Sequence, residues 1–181
     1  VIDGHTISYG LAAIKNVGYK AAEDIAKSRN DVTYKTIFDL CTIESTAVNK
    51  KTLESLILAG ACDQLEGHRA QQYESIDKVI HFGQLYNKQS NKNQESLFSS
   101  DGVDMEIPIP ELAEANEWSS DICLSKEKEL IGFYLSGNPL EPYLMDLKDF
   151  EIDEVKGKDS ELRLGGLVSS SKILFDKRNN Q

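Results

Sequence analysis

The sequence predicts a mainly α-helical fold: a helical domain, a flexible linker, a helical connector and two strands at the end of the chain. Three patterns predict it. Apolar side chains recur three or four residues apart through much of residues 11–86, as on the buried face of a helix. Residues 87–96 contain no apolar side chain and are rich in Asn, Gln, Lys and Ser, which favours disorder. Alternating apolar residues at 162–168 and 171–175 are typical of β-strands.

The helical domain is predicted to contain five helices after a short β-hairpin. Residues 1–10 hold two extended runs around Asp3-Gly4, a turn signal. The helices are predicted at 11–14, from 19, at 36–41, at 49–60 and after 67. The third starts at Thr36 with Asp39 at the spacing of a capping box. The fifth is the longest, and its buried stripe is predicted to be Ala70, Tyr73, Ile76 and Ile80.

The remaining chain is predicted to divide into three parts. Residues 87–117 form the flexible linker, in which Pro108 and Pro110 keep the backbone extended. Residues 118–150 form a helical connector, whose first helix runs from Trp118 through Tyr134 and stops at residues 136–139, before a short helix at 143–150. Residues 151–181 contain the two strands, and a pair of strands is marginal without partners. Since the chain begins at Val1 and ends directly after them, we expect an internal fragment of a longer protein.

Composition excludes several classes of protein. No window approaches the roughly 18 consecutive apolar residues of a membrane span. The three cysteines are odd in number and widely spaced, so Cys41, Cys62 and Cys123 offer neither a disulfide framework nor a CxxC metal site. We therefore expect a cytoplasmic chain without a bound metal or cofactor. The acidic run Asp146, Asp149, Glu151, Asp153 and Glu154 could form a two-metal carboxylate site, but interleaved lysines favour a solvated surface.

The net charge of −10 is unevenly distributed along the chain. Residues 1–100 carry 11 basic and 12 acidic side chains, residues 101–161 carry 5 and 17, and residues 162–181 carry 4 and 1. Phosphate binding requires local cations. The charge pattern therefore excludes nucleic-acid binding in the middle of the chain and permits it at both ends.

A glycine-containing turn between the first two helices is the strongest candidate site. The first amides of a helix have no intrahelical acceptor, and the helix dipole adds positive potential there, so such a turn can hold a phosphate. Ile14 and Val17 are expected to anchor the turn, and the phosphate-binding residues are predicted to be Lys15, Asn16, Val17, Gly18, Tyr19 and Lys20. This is a helix-hairpin-helix motif, which binds nucleic-acid backbone without reading bases. An ordinary tight turn remains the alternative, and at residues 58–63 a second such hairpin competes with a plain helix C-cap.

A second candidate site lies in the linker. Leu97 and Phe98 are apolar residues in a segment otherwise unable to fold, and Gln94 precedes them. This arrangement is typical of short peptides that fill a pocket on a partner protein. The alternative is that Leu97 and Phe98 fold back onto the helical domain.

Three segments of the chain are Tyr9-Gly-Leu-Ala-Ala-Ile-Lys-Asn-Val-Gly18, Val48-Asn-Lys-Lys-Thr-Leu-Glu-Ser-Leu-Ile-Leu-Ala-Gly-Ala-Cys-Asp63 and Glu127-Lys-Glu-Leu-Ile-Gly-Phe-Tyr-Leu-Ser-Gly-Asn-Pro-Leu140. In this order they resemble successive blocks of the bacterial replicative DNA polymerase III alpha subunit family. The resemblance implies a tandem helix-hairpin-helix domain over residues 11–86, a linker with a sliding-clamp-binding peptide, and from 151 the first part of an OB fold.

The resemblance also implies roles for residues. The hairpin would hold duplex backbone behind the polymerase site, Gln94, Leu97 and Phe98 would dock the sliding clamp, and the complete OB fold would bind single-stranded template with Lys172, Lys177 and Arg178. Other replicase subunits would be further partners. The resemblance places the catalytic carboxylates and their Mg²⁺ upstream of Val1, so the fragment itself should be inactive although the whole protein would be a DNA-directed DNA polymerase.

Two other classes of function remain open. A non-catalytic adaptor would bind the clamp but not DNA. A helix-hairpin-helix DNA repair enzyme would require a nucleophilic lysine or a general-base aspartate beside the hairpin, for which the candidates are Lys20 and Asp24.

Overall fold

A computed structural model describes residues 2–3, 6–30, 32–43, 47–95, 107–149, 165–168 and 170–173. The chain forms two units, residues 1–136 and 137–181. The first unit opens where the sequence predicts a hairpin, with β1 (Ile2–Asp3) antiparallel to β2 (Thr6–Ile7). A single 3₁₀ turn (Leu11–Ala13) and α1 (Tyr19–Ser28) follow, as predicted.

The next two predicted helices are also present, and side-chain hydrogen bonds form at the start of each. The third is one 3₁₀ turn, Asp39–Cys41. Asp39 Oδ2 accepts hydrogen bonds from the amides of Lys35 and Thr36, both at 2.8 Å, which is the reach-back half of a capping box. Helix α2 (Lys50–Leu58) begins after Asn49, whose side chain accepts from the Thr52 amide at 3.1 Å.

The predicted fifth helix is two helices, α3 (Arg69–Glu74) and α4 (Ile76–Glu95), which are separated at Ser75. The buried Ser75 hydroxyl bonds to the Gln71 carbonyl and accepts from the Ala113 amide, both at 2.7 Å. A serine that bonds back into its own helix and also serves a neighbouring segment breaks the regular ladder. The predicted stripe is correct in position, because Ala70 and Ile76 are buried and Tyr73 and Ile80 pack against the core.

The prediction of a flexible linker from residue 87 is wrong for residues 87–95, which form the end of α4. The absence of apolar side chains favours disorder only for a segment that must fold on its own. Here the helix is already nucleated by its buried first half, and each added residue costs little, since Lys, Gln and Glu have good helix propensity.

The linker prediction is also wrong for residues 107–117, an extended strap on the helices. The strap has no regular secondary structure, consistent with Pro108 and Pro110. Ile107 and Leu112 pack against the core, and Lys78 Nζ donates to the Glu111 carbonyl at 3.2 Å. Two apolar residues and polar bonds to α4 and Ser75 are therefore enough to fix this segment.

Helix α5 (Ser120–Ile131) belongs to the same core as the preceding helices. It is shorter than predicted at both ends, and it stops at Gly132, which has φ +97° and forms a left-handed C-cap, before Tyr134 is reached. Leu130 and Ile131 are buried in the core cluster with residues of the hairpin, α1, α2 and α4. The sequence predicted a separate connector at 118–150, whereas the boundary between the units lies after residue 136.

The second unit contains a single 3₁₀ turn (Glu141–Tyr143) and α6 (Leu144–Asp149), in agreement with the helix predicted at 143–150. The strands predicted at 162–168 and 171–175 are not confirmed. Their described parts, residues 165–168 and 171–173, have no strand pairing, and the remainder lies outside the described residues. The OB fold therefore stays a prediction.

Candidate nucleic-acid interface

The hairpin between the 3₁₀ turn at Leu11–Ala13 and α1 is fixed to the core by two apolar residues. Ile14 and Val17 are each 5% exposed and belong to the core cluster, as the sequence predicted. The Val17 amide donates to the Ile14 carbonyl at 3.0 Å and closes a tight turn between them. Since both ends of the turn are buried, residues Lys15 and Asn16 lie at its tip and are exposed.

The left-handed residue of the turn is Asn16, with φ +67°. Asparagine tolerates this conformation better than most residues. Gly18 has φ −71° and is the N-cap of α1. Glycine is therefore not required at position 18 by backbone strain. A Cβ at this position would meet no atom within 4 Å, so the lack of a side chain leaves the helix end uncovered.

The first turn of α1 is an uncapped helix terminus. The first backbone bond of the helix is donated by the Ala22 amide to the Gly18 carbonyl at 3.1 Å, and no side chain caps Gly18. The amides of the preceding residues therefore have no intrahelical acceptor. The exposed side of this terminus carries Tyr19, which is 76% exposed. An anion can reach these amides without displacing any part of the protein.

The two lysines of the hairpin differ in their electrostatic surroundings. Lys20 Nζ lies 2.6 Å from Asp24 Oδ1 in an i,i+4 pair, and the lysine side chain is 71% exposed. Lys15 is exposed, and none of the ion pairs of the described residues includes it. Much of the Lys20 charge is offset by Asp24, so Lys15 contributes the larger share of the positive potential.

Two polar contacts hold the hairpin to other helices. Asn16 Nδ2 donates to Ser55 Oγ on α2 at 3.2 Å. The Lys15 amide donates to the Leu130 carbonyl at the end of α5 at 2.9 Å. Neither Ser55 nor Leu130 was identified from sequence, because no local pattern relates residues so far apart in the chain. Helices α2 and α5 thus support the hairpin from behind.

The second possible hairpin, at residues 58–63, is a helix C-cap. The Ala61 amide donates to the Leu56 carbonyl at 2.9 Å and the Gly60 amide to the Ile57 carbonyl at 3.0 Å, while Gly60 has φ +78°. These two bonds and the left-handed residue define a Schellman motif. The following helix α3 is closed by a capping box between His68 and Gln71. Its terminus is therefore occupied by its own side chains.

An ion-pair cluster, formed by the buried Arg69 and Glu127 and the exposed Asp63, joins three segments of the first unit. Arg69 Nε and Nη2 donate to the two Asp63 oxygens at 2.7 and 2.6 Å, and Nη2 also donates to Glu127 Oε1 at 2.8 Å. Glu127 Oε2 accepts from the amides of Leu135 and Ser136, both at 3.0 Å. No local sequence pattern indicates this cluster, although Glu127 opens the third block of resemblance.

Burial and hydrogen bonding act in opposite directions on Glu127, which has no exposed surface. Burial by itself raises the pKa of the carboxyl, but the hydrogen bonds from Ser136, Arg69 and Leu135 outweigh it and hold the pKa below its ordinary value. Hydrogen bonds to Asp63 are the main cause that raises the pKa of Arg69, so the guanidinium stays charged. Glu127 and Arg69 are therefore both charged at neutral pH.

The structure describes only part of the other predicted sites. Gln94 lies near the end of α4, and Lys172 is exposed in the second unit. Leu97, Phe98, Lys177 and Arg178 lie outside the described residues, as do Glu151, Asp153 and Glu154 of the acidic run. Within the described part of the chain, no group of His, Cys, Asp or Glu is arranged to hold a metal ion. None of the helices described there has the length and apolarity to cross a membrane.

Residues 1–72 match the model of the helix-hairpin-helix motif, and the turn at Asn16 lies within them, so this part of the first unit is a helix-hairpin-helix module. DNA polymerase III subunit alpha of Vibrio cholerae serotype O1 is 34% identical over 188 residues, which cover 98% of this chain and 16% of that protein. The Neisseria meningitidis serogroup B subunit is 35% identical over 177 residues, which cover 95% of this chain and 15% of that protein. The Escherichia coli K12 subunit is 30% identical over 190 residues, which cover 100% of this chain and 16% of that protein.

The chain belongs to the DNA polymerase III alpha subunit family. It spans about 16% of the length of the curated relatives that it matches.

Proposed function

We propose that this chain holds the backbone of duplex DNA through the hairpin at residues 15–20, as part of a replicative DNA polymerase. The observation that carries the proposal is the uncapped N-terminus of α1, in a segment that matches the helix-hairpin-helix motif. Phosphate oxygens would accept hydrogen bonds from the amides of Gly18, Tyr19 and Lys20, with Lys15 beside them. Polymerisation itself, with its Mg²⁺, would reside outside these 181 residues.

The hairpin suits a polymerase because its contacts carry no sequence information. Amide and lysine contacts to phosphate position a duplex without reading bases. Two lysines neutralise at most about two phosphates, which gives a slope of about −2 in log affinity against log salt. Such binding is weak and permits movement along the duplex.

Fluorescence anisotropy with a primed duplex at several salt concentrations tests the proposal. Combining Lys15→Glu with Lys20→Glu should abolish binding, because two positive charges beside the phosphate become negative. The matched control combines Lys51→Glu with Lys88→Glu, two exposed lysines on α2 and α4 that change the net charge equally. Equal loss with both pairs would attribute binding to net charge and contradict the hairpin assignment.

Single substitutions test the inequality of the two lysines. Lys15→Gln should weaken binding more than Lys20→Gln, because Asp24 already offsets the Lys20 charge at 2.6 Å. Equal effects would show that the Lys20–Asp24 pair opens when DNA binds. The pair also argues against a repair enzyme, since Lys20 is an exposed ion-pair partner and lacks the desolvated surroundings that activate a nucleophilic lysine.

Docking of the sliding clamp by Gln94, Leu97 and Phe98 is a second part of the proposal, supported by the polymerase relatives and by the apolar pair in a polar segment. Leu97→Ala with Phe98→Ala should abolish retention on an immobilised clamp. Leu85→Ala with Tyr86→Ala is the control, because these are exposed apolar residues of α4. Retention that survives the first pair would refute clamp docking, and clamp binding without DNA binding would favour the adaptor.

Three further assignments complete the proposal. Lys172, Lys177 and Arg178 would face single-stranded template in a complete OB fold, the remaining partners would be other replicase subunits, and the protein would act in the cytoplasm. Charge reversal of the three basic residues in the full-length polymerase should weaken binding of single-stranded but not of duplex DNA.

A further inference from the structure

We propose that the Asn16 side chain is a positioning group, which together with Ser55 on α2 fixes the hairpin in the conformation that presents its amides. The inference rests on the proposed DNA-holding function and assigns Asn16 a role different from direct phosphate contact. It identifies Ser55, which touches no ligand in this arrangement, as a determinant of DNA affinity.

The first step is the backbone of Asn16. Among the described residues, Asn16 is the one non-glycine residue with positive φ, at +67°. A left-handed conformation costs a non-glycine residue free energy and persists where surrounding contacts enforce it. The hydrogen bond from Asn16 Nδ2 to Ser55 Oγ, at 3.2 Å, is a contact of this kind. Glycine at this position would adopt the same φ but could not make the bond.

The second step is the rigidity of the acceptor. Ser55 is 3% exposed and lies on α2 between Leu53 and Leu56, which are 1% and 2% exposed. A hydroxyl on such a buried helix has a fixed position, because its neighbours fill the core. The Asn16 side chain is thus directed back toward α2, and its amide is occupied by Ser55.

The third step is the opposite side of the turn, where the Lys15 amide donates to the Leu130 carbonyl at 2.9 Å. Leu130 is 9% exposed, at the end of α5. The hairpin is therefore held between α2 and α5. Loss of one anchor would reduce the fraction of molecules in the binding-competent conformation, and apparent affinity falls in proportion to that fraction.

The test compares Asn16→Gly with Ser55→Ala in the 181-residue chain, by anisotropy with primed duplex. Asn16→Gly keeps positive φ accessible and removes the anchor, whereas Ser55→Ala removes the anchor without touching the hairpin. We expect each to weaken binding about fivefold, the equivalent of one ordinary hydrogen bond. The salt slope should stay unchanged, because no phosphate contact is lost. The double variant should bind no more weakly than either single variant.

Asn30→Gly, in the exposed turn after α1, is the matched control and should bind like the unchanged chain. Binding by Asn16→Gly or Ser55→Ala within 1.5-fold of the unchanged chain, additive effects in the double variant, or a shallower salt slope would each overturn the positioning role. Failure of the proposed function is read separately, from unchanged binding after Lys15→Glu with Lys20→Glu. All measurements are made where Trp118 fluorescence shows the variants fully folded, so that unfolding does not mimic lost affinity.

Discussion

Removal of the Glu127 carboxylate should destabilise the first unit more than any exposed charge change. Its two oxygens accept three hydrogen bonds, from Arg69 on α3 and from the amides of Leu135 and Ser136. The side chain is 1% exposed and that of Arg69 is 9% exposed, so water replaces few of these bonds. Glu127→Ala therefore severs the attachment of α5 to α3 and to the segment after Gly132.

The expected loss is about 3 kcal/mol. Breaking a buried ion pair by removing one partner costs about 3–5 kcal/mol. The lower end applies here, because Arg69 keeps both bonds to Asp63, and the Asp63 side chain is 43% exposed. At a typical urea slope of about 2 kcal/mol per molar, the loss lowers the unfolding midpoint by roughly 1.5 M.

Fluorescence of Trp118, the single tryptophan, reports this transition, because its ring lies 5.6 Å from Tyr73 on the folded helices. Glu129→Ala is the matched control on the same helix. Its side chain is 62% exposed and pairs with Lys126 at 3.4 Å, so its removal should cost less than about 0.5 kcal/mol. Midpoints of Glu127→Ala and Glu129→Ala that coincide, with equal slopes, would refute a stabilising role for the cluster.

Three further outcomes follow from the first unit. The pKa of Glu127 in the folded protein lies below its ordinary value of 4.5, so the ionised carboxylate stabilises the fold above pH 4.5, and this stabilisation is lost as the pH falls through the folded pKa. Urea midpoints should therefore drop below about pH 5, and they should drop less steeply in Glu127→Gln. Gly60→Ala should cost more than about 1 kcal/mol, because Gly60 has φ +78° and the added Cβ would lie 2.3 Å from Arg69 Nη2. Gly18→Ala should change stability by less than about 0.5 kcal/mol, because a Cβ there meets no atom within 4 Å. Burial raises the pKa of Cys62 to about 12, so mass spectrometry should find iodoacetamide on the half-exposed Cys123 before Cys62 in the folded protein at pH 8.

Local sequence patterns predicted the hairpin well because its determinants are local. Ile14 and Val17 are spaced to bury both ends of one turn, and Asn16 supplies the left-handed residue between them. A glycine in a turn indicates positive φ without indicating which residue adopts it, and Gly18 itself has φ −71°. In the structure Asn16 adopts the left-handed conformation, whereas Gly18, which has no side chain, leaves the end of α1 uncovered.

Contacts between distant residues were not predictable in the same way. Arg69 and Glu127 are 58 residues apart, and each alone is an ordinary charged residue on a helix. The strap at 107–117 is predicted to be part of the linker, in which Pro108 and Pro110 keep the backbone extended, yet Ile107 and Leu112 pack against the core. Periodicity predicts which face of an element is buried and carries no information about which elements meet.

The net charge of −10 would oppose DNA binding if cations alone gripped the phosphate. In the proposed function, the backbone amides at the start of α1 would make a different kind of contact with phosphate, because their partial charge is fixed by the helix and does not depend on the surrounding composition. To bind phosphate in this way, the acidic chain needs a turn whose backbone amides stay exposed and point toward the phosphate. That requirement falls on Ile14, Val17, Asn16 and their supports on α2 and α5, more than on the number of lysines. A hairpin of this kind can therefore hold a duplex within an acidic protein, provided that its supporting contacts remain intact.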